Sequence, residues 1–149
     1  MPEFVDTSAV GSCIFCRLLA GEIPAARIYE DEQTLAFLDI GQVTPGHTLV
    51  IVKRHAETLF DLTADEAAAA MRTAHRVAQA IQATFQPAGL NLLQCNREAG
   101  WQTVGHFHIH VLPRHADDGV GLIWPRQEPG RDVLAERAAL LREALAGQD

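Results

Sequence analysis

The stretch HFHIHVLP, residues 106–113, alternates histidine with an apolar residue over its first six positions. Side chains point to opposite faces of a β-strand in turn, so this alternation predicts a strand with one polar face and one core face. We therefore expect His106, His108 and His110 to share the polar face. The apolar residues between them are expected to face the core.

Three histidines on one face of a strand suggest a functional cluster. Neighbouring histidines would lie about 6.6 Å apart at Cα and the outer pair about 13 Å apart. A zinc ion with bonds of about 2.0–2.1 Å takes two such rings more easily than three. Each imidazole needs a polar partner, which favours a functional cluster over three structural histidines. A neutral imidazole is also a good nucleophile near neutral pH.

The rest of the chain predicts an α+β fold with a mainly antiparallel sheet, because a run of strands is interrupted by one long helix. Further strands are predicted at 25–31, 34–39, 47–52 and 89–96. Thr63, followed by Glu66 three residues later, forms a capping-box pattern and begins the long helix, which extends to about Phe85. Shorter helices are predicted at 13–22 and 131–146.

Length and composition predict a single domain over residues 13–149, with residues 1–12 as a flexible tail. The 149 residues are 48% hydrophobic, and no apolar run reaches the roughly 18 residues that a membrane helix needs. The N-terminal sequence lacks a basic-then-apolar signal pattern, so we expect a cytoplasmic protein. A net charge of −7 argues against nucleic acid as a partner, because phosphate backbones are held by clustered Lys and Arg.

Cys13 and Cys16 form a C-x-x-C pair with three possible interpretations. A redox pair would usually follow a strand, and no strand is predicted before Cys13. Half of a Cys₂His₂ zinc site suits the spacing better. Two buried thiols without a metal remain the third possibility. Cys95, in an apolar segment, is expected in the core.

The histidine triplet resembles the signature of the histidine triad family of nucleotide hydrolases and transferases. The likeness extends over roughly residues 13–125, through CIFCRLLAGEIPAARIYED, LAFLDI, PGHTLVIVKRH, GLNLLQCN and GWQTVGH. It is strongest to bacterial members that carry an N-terminal C-x-x-C. The resemblance implies five antiparallel strands with one main helix, and a homodimer whose sheets join.

The resemblance also implies catalytic roles. His108, the middle histidine, would attack the α-phosphorus of a nucleotide and form a nucleotidyl-histidine intermediate that water then hydrolyses. His110 would donate a hydrogen bond to the phosphate or the leaving group. His47, from PGHTLV, would support the cluster from the neighbouring strand.

The same resemblance implies the substrate-binding residues. Gln102 and Thr103 match positions that contact phosphate oxygens, and Asn96 matches an asparagine near the sugar and phosphate. Asp39 matches an acid that accepts hydrogen bonds from the ribose hydroxyls. An apolar slot around a purine base would consist of Phe15, Leu18, Ile23, Phe37 and Ile40.

For the cysteine pair, the resemblance implies a zinc site. The ligands would be Cys13, Cys16, His55 of Lys53-Arg54-His55, and His106. This assignment gives the first histidine of the triplet a structural role and leaves the other two for chemistry.

The implied activity is hydrolysis of purine nucleoside phosphoramidates or dinucleoside polyphosphates. One alternative is a zinc-stabilised nucleotide-binding or scaffold module with weak or no catalysis. Another is a nucleotidyltransferase, although related transferases carry proline where Ile109 stands. Trp101 replaces a usual glycine and Gly105 a usual aromatic residue, so both bear on the choice of leaving group.

Overall fold

The structure is a computed structural model that describes residues 12–148. The tail predicted over residues 1–12 therefore lies, except for its last residue, outside the described part. Internal contacts divide the chain into two compact units, one ending at Gly119 and the other beginning at Val120.

The first unit contains a five-stranded antiparallel sheet with strand order β1-β2-β3-β5-β4. In chain order its elements are α1 (Ile14–Leu19), β1 (Arg27–Glu30), β2 (Thr34–Leu38), β3 (Thr48–Val52), α2 (Ala64–Phe85), β4 (Gly89–Gln94) and β5 (His108–Arg114). This arrangement confirms the predicted α+β fold.

The two faces of the sheet carry separate apolar clusters. On one face, Phe107, Ile109 and Val111 pack with residues of α2 such as Val77 and Ile81. The opposite face is covered by α1, and its cluster consists of Phe15, Leu18, Leu35, Phe37, Leu49, Ile51 and Val104. The histidines of β5 therefore lie on the α1 side, as the alternation predicts.

Helix α2 begins at the predicted capping box. The Thr63 hydroxyl accepts a hydrogen bond from the Glu66 N–H at 3.2 Å, and the Glu66 carboxylate accepts one from the Thr63 N–H at 2.9 Å. The helix ends where Gln86 adopts a left-handed backbone, with φ of 48°. Met71 on this helix is 51% exposed.

Strand β5 begins two residues later than the sequence predicts. Phe107 donates its N–H to the Ala56 carbonyl at 2.7 Å, and the His106 ring contacts the Val52 carbonyl at 2.7 Å. Phe107 is thus bonded to the segment after β3 and the His106 ring to the last residue of β3, so His106 precedes the regular ladder.

The second unit contains helix α3, Arg131–Ala146, as predicted. Residues 120–130 before it have no regular secondary structure. Among the described residues, no helix is both long enough and apolar enough to cross a membrane.

Candidate active site and metal centre

The three predicted catalytic histidines meet where β3 and β5 pair. His47 directly precedes β3, and Leu49, two residues further along the chain, is opposite His110 in the ladder. The His47 Nε2 atom lies 2.9 Å from His110 Nδ1, and the ring centroids of His108 and His110 are 5.1 Å apart. The structure therefore brings His47, His108 and His110 into one cluster.

The His108 ring is held in one tautomer by the backbone. Its Nδ1 atom lies 2.7 Å from the His106 carbonyl oxygen. A carbonyl can only accept, so Nδ1 carries the hydrogen and Nε2 keeps its lone pair. Burial lowers the pKa of His108 below its ordinary value, which favours the neutral ring. The Nε2 atom thus has the electronic state of a nucleophile.

His47 and His110 form a directed hydrogen-bond chain. The Val43 N–H donates to His47 Nδ1 at 3.4 Å, so His47 carries its hydrogen on Nε2 and donates it to His110 Nδ1. His110 then carries its own hydrogen on Nε2. Burial is the main reason that the pKa of His110 falls to about 3, with smaller effects of the neighbouring histidines. His110 can therefore donate from Nε2 as a neutral ring.

The turn from Asp39 to His47 is fixed by a side chain that sequence reasoning missed. The Gln42 amide donates to the carbonyl oxygens of Asp39 and His47, each at 2.6 Å, and accepts from the Gly46 N–H at 2.9 Å. Gly46 has φ of +94°, and a Cβ there would lie 2.8 Å from the Phe85 ring. In the sequence, this turn corresponds to GQVTPG, residues 41–46, whose glycines and proline are typical of turns. As a result, the Asp39 carboxylate lies 3.5 Å from His47 Nε2.

Four of the five residues predicted to surround the base are grouped beside His108. The Phe15 ring packs edge-on against His108 at 5.3 Å and against Phe37 at 5.5 Å. Leu18 belongs to the same buried cluster, and Ile23 packs against it. The fifth, Ile40, is fully exposed and is absent from this cluster.

The predicted phosphate-contacting residues share one loop before β5. The Asn96 side chain accepts a hydrogen bond from the Leu59 N–H at 2.7 Å. The Gln102 amide forms three hydrogen bonds with backbone groups. The Thr103 hydroxyl forms no hydrogen bond with any residue in the range 12–148 and remains available to a ligand. The loop therefore includes two side chains that bind protein backbone and one that does not.

The four predicted zinc ligands also converge. The ligand atoms of Cys13, Cys16, His55 and His106 all lie within 4.8 Å of one another. His106 Nε2 donates to the Val52 carbonyl, so its Nδ1 lone pair faces the two sulfurs at 3.5 and 3.6 Å. His55 Nδ1 lies 3.3 Å from the Cys16 sulfur.

The electrostatics of the cysteine pair also suit a metal. Burial, with the adjacent Cys13 thiol, raises the pKa of Cys16 to about 11. Two neighbouring thiolates therefore need a compensating cation to form at neutral pH. Two sulfurs and two imidazole nitrogens are a donor set that suits tetrahedral zinc.

Comparison with known proteins agrees with this geometry. Residues 20–117 match the family model described as HIT domain. A HIT family protein from Bacillus anthracis has a similar solved structure, with a TM-score of 0.85 and 43% identity over 89% of this chain and 96% of that chain. The adenosine 5'-monophosphoramidase of Saccharomyces cerevisiae is 36% identical over 93% of this chain and 85% of its own length. A Zn-bound histidine triad family protein from Mycobacterium smegmatis has a TM-score of 0.71 and 38% identity over 93% of this chain and 99% of that chain. The chain therefore belongs to the HIT family.

Proposed function

We propose that this HIT protein hydrolyses purine nucleoside phosphoramidates or dinucleoside polyphosphates at the α-phosphate. The observation that carries the proposal is the neutral His108 ring, whose Nδ1–H is bound to a carbonyl while Nε2 keeps its lone pair. The yeast relative named as an adenosine 5'-monophosphoramidase supports the same reaction class.

In the first step, His108 Nε2 attacks the α-phosphorus and forms a phosphorus–nitrogen bond. The bond to the leaving group breaks, its electron pair leaves with the nitrogen or oxygen atom, and an amine leaving group takes one proton from water. His110 Nε2–H donates to the leaving group, and the His47 chain keeps that hydrogen directed outward. In the second step, water attacks the same phosphorus and releases one proton to the solvent, the bond to His108 breaks, and the nucleoside monophosphate departs.

The substrate would lie across the sheet end that holds these histidines. We place the base beside Phe15 and the ribose hydroxyls at the Asp39 carboxylate, which is a natural acceptor for a diol. The phosphate would face the loop that includes Asn96, Gln102 and Thr103. Neutral donors in this loop would stabilise the spread negative charge of the transition state.

We further propose that zinc occupies the Cys13, Cys16, His55 and His106 site as a structural ion. The Zn-bound relative supports this assignment. When bound, the ion would supply a cross-link and no reaction step. It would tie α1 and the turn after β3 to the start of β5, and so hold Phe15 against His108.

A homodimer is also proposed. Strand β4 lies at the edge of the sheet, where its unpaired backbone groups could pair with a second copy. Leu92 on this strand is 43% exposed and Met71 on α2 is 51% exposed, so pairing would cover apolar surface. Light scattering that gives a mass near 16.3 kDa at micromolar concentration would refute the dimer.

The cytoplasmic location remains a prediction from the N-terminal sequence.

The function is tested by turnover of an adenosine phosphoramidate and of dinucleoside polyphosphates. Quenching a single turnover should trap a nucleotidyl adduct, which peptide mass spectrometry should map to His108. His75→Ala, at an exposed position on α2, serves as the matched control and should behave as wild type. Nucleotide binding without any adduct would instead support the scaffold module. An adduct that passes to an added acceptor in preference to water would support a transferase.

A further inference from the structure

We propose that Gln102 is a positioning residue, which fixes the loop over residues 97–105 and makes no contact with the nucleotide. This inference rests on the proposed nucleotide hydrolase function. It assigns Gln102 a different role from the direct phosphate contact that the family resemblance implies.

Both hydrogens of the Gln102 amide are already donated within the protein. Its Nε2 atom carries two hydrogens. One is donated to the Glu57 carbonyl at 2.6 Å and the other to the Val104 carbonyl at 2.9 Å. Its Oε1 atom accepts from the Arg97 N–H at 2.7 Å. No amide hydrogen remains for a phosphate oxygen unless one of these bonds breaks.

The orientation of the Gln102 amide is determined by its hydrogen-bond partners. Two carbonyl oxygens can only accept, and the backbone N–H of Arg97 can only donate. Exchanging the amide nitrogen and oxygen would place like groups against each other in all three contacts. The assignment of donor and acceptor is therefore fixed by chemistry.

These hydrogen bonds link the loop to a neighbouring segment. They join the start of the loop at Arg97 and its end at Val104 to Glu57, in the segment that follows β3. Asn96 adds a parallel link, since its Oδ1 accepts from the Leu59 N–H. Hydrogen bonds thus hold both ends of the loop against the segment that follows β3.

The groups of this loop that could bind a ligand lie next to Gln102. Within the described part of the chain, the Thr103 hydroxyl and the backbone N–H groups of residues 103–105 have no hydrogen-bond partner. Such groups suit an anion, and their direction depends on the loop's shape. Gln102 would thus act on the phosphate through Thr103 and the backbone.

The first measurement needs no nucleotide. In the full-length, zinc-loaded protein, Gln102→Ala should raise amide hydrogen exchange at Arg97 and at residues 100–102, whose N–H groups bond within the loop, by roughly 10-fold or more, because three hydrogen bonds are lost. Gln102→Glu keeps the acceptor for the Arg97 N–H but removes both donors. Exchange at the Arg97 N–H should therefore stay slow in this variant, while the hydrogen bond to the Glu57 carbonyl is lost. Thr103→Val, the matched control, should leave exchange unchanged.

The second measurement is a double-mutant cycle on single-turnover rates with an adenosine phosphoramidate. Gln102→Ala should slow adduct formation by roughly 10- to 100-fold, as expected when a reacting group is displaced by about 1 Å. Affinity for adenosine, which lacks the phosphate, should not change. Thr103→Val should slow the wild type but have little further effect in Gln102→Ala, since a displaced loop no longer uses Thr103.

Two results would overturn the inference. One is amide exchange in a folded Gln102→Ala protein that equals the wild-type rate. The other is strict additivity, in which Thr103→Val slows adduct formation equally in the wild type and in Gln102→Ala. If Gln102→Ala fails to fold, Gln102→Glu answers both questions. If the wild type neither binds nor processes nucleotides, the proposed function fails. The exchange experiment still decides separately whether Gln102 fastens the loop.

Discussion

His106 and His108 lie two residues apart, yet their rings are held in opposite ways. In His106 the backbone carbonyl of Val52 takes the Nε2 hydrogen, which directs the Nδ1 lone pair to the cysteine sulfurs. In His108 the carbonyl of His106 takes the Nδ1 hydrogen, which leaves Nε2 as the free nitrogen. In the proposed function, His106 would bind the metal through Nδ1 and His108 would attack phosphorus through Nε2. The position of a carbonyl oxygen thus assigns different chemistry to identical side chains.

The largest expected effect separates these two histidines. His108→Ala should lower kcat by about 10³-fold or more, because it removes the proposed nucleophile of the covalent intermediate. It should keep its zinc and its affinity for nucleotide. His106→Ala should lose zinc while His108 remains able to form an adduct. Single-turnover kinetics and metal analysis of both proteins check this, and normal turnover by a folded His108→Ala would contradict it.

Removal of the metal is the next test. Cys13→Ser should purify without zinc, and the wild type should be more stable by about 4 kcal/mol at a free zinc concentration 1,000-fold above Kd. Urea unfolding with and without a chelator measures the difference. Cys95→Ala changes a buried cysteine outside the cluster and should keep its zinc. A metal-free wild type purified under reducing conditions would show that the site is not a zinc site.

The acid sensitivity of the protein tests the cluster of His47, His108 and His110. Burial lowers the pKa of His47, and that of His110 from 6.5 to about 3, so both rings stay neutral in the folded state while the unfolded state takes up protons. Stability should therefore be fully present above pH 6.5 and decline as the pH falls toward 3. The slope is at most about 1.4 kcal/mol per pH unit for each proton.

Urea unfolding between pH 7 and pH 4 measures this slope. His110→Gln should reduce it, and His75→Gln, at an exposed position, should leave it as in the wild type. An unchanged slope in His110→Gln would mean that His110 is not held neutral by burial.

The smallest expected effect concerns Trp101, in the loop that precedes His106 and His108. Trp101 has φ of 67°, in the left-handed region, and its side chain is 57% exposed. Trp101→Gly should stabilise the protein by about 1 kcal/mol, because glycine adopts this backbone without steric cost. Trp101→Ala keeps the strain and should show no such gain. Chemical denaturation compares the three, and equal stabilities would exclude strain at this position.

Local patterns in the sequence were sufficient to predict the fold. Strand alternation in residues 106–113 and the capping box at Thr63 depend only on neighbours in the chain, and the structure confirms both. Local patterns also indicated the three histidines and the C-x-x-C pair, whereas the family likeness supplied their individual roles and the remaining residues of the candidate site. Turn contacts such as those of Gln42 were missed, since they depend on which carbonyls the folded turn presents.

The sequence by itself determined which side chains share a strand face and where the main helix begins, because both follow from backbone periodicity. Only the tertiary structure decided which nitrogen of each histidine is free, that Ile40 lies outside the apolar cluster, and that the Gln102 amide binds the backbone. These features depend on carbonyls and neighbours that are distant in sequence. Local periodicity contains no information about such contacts.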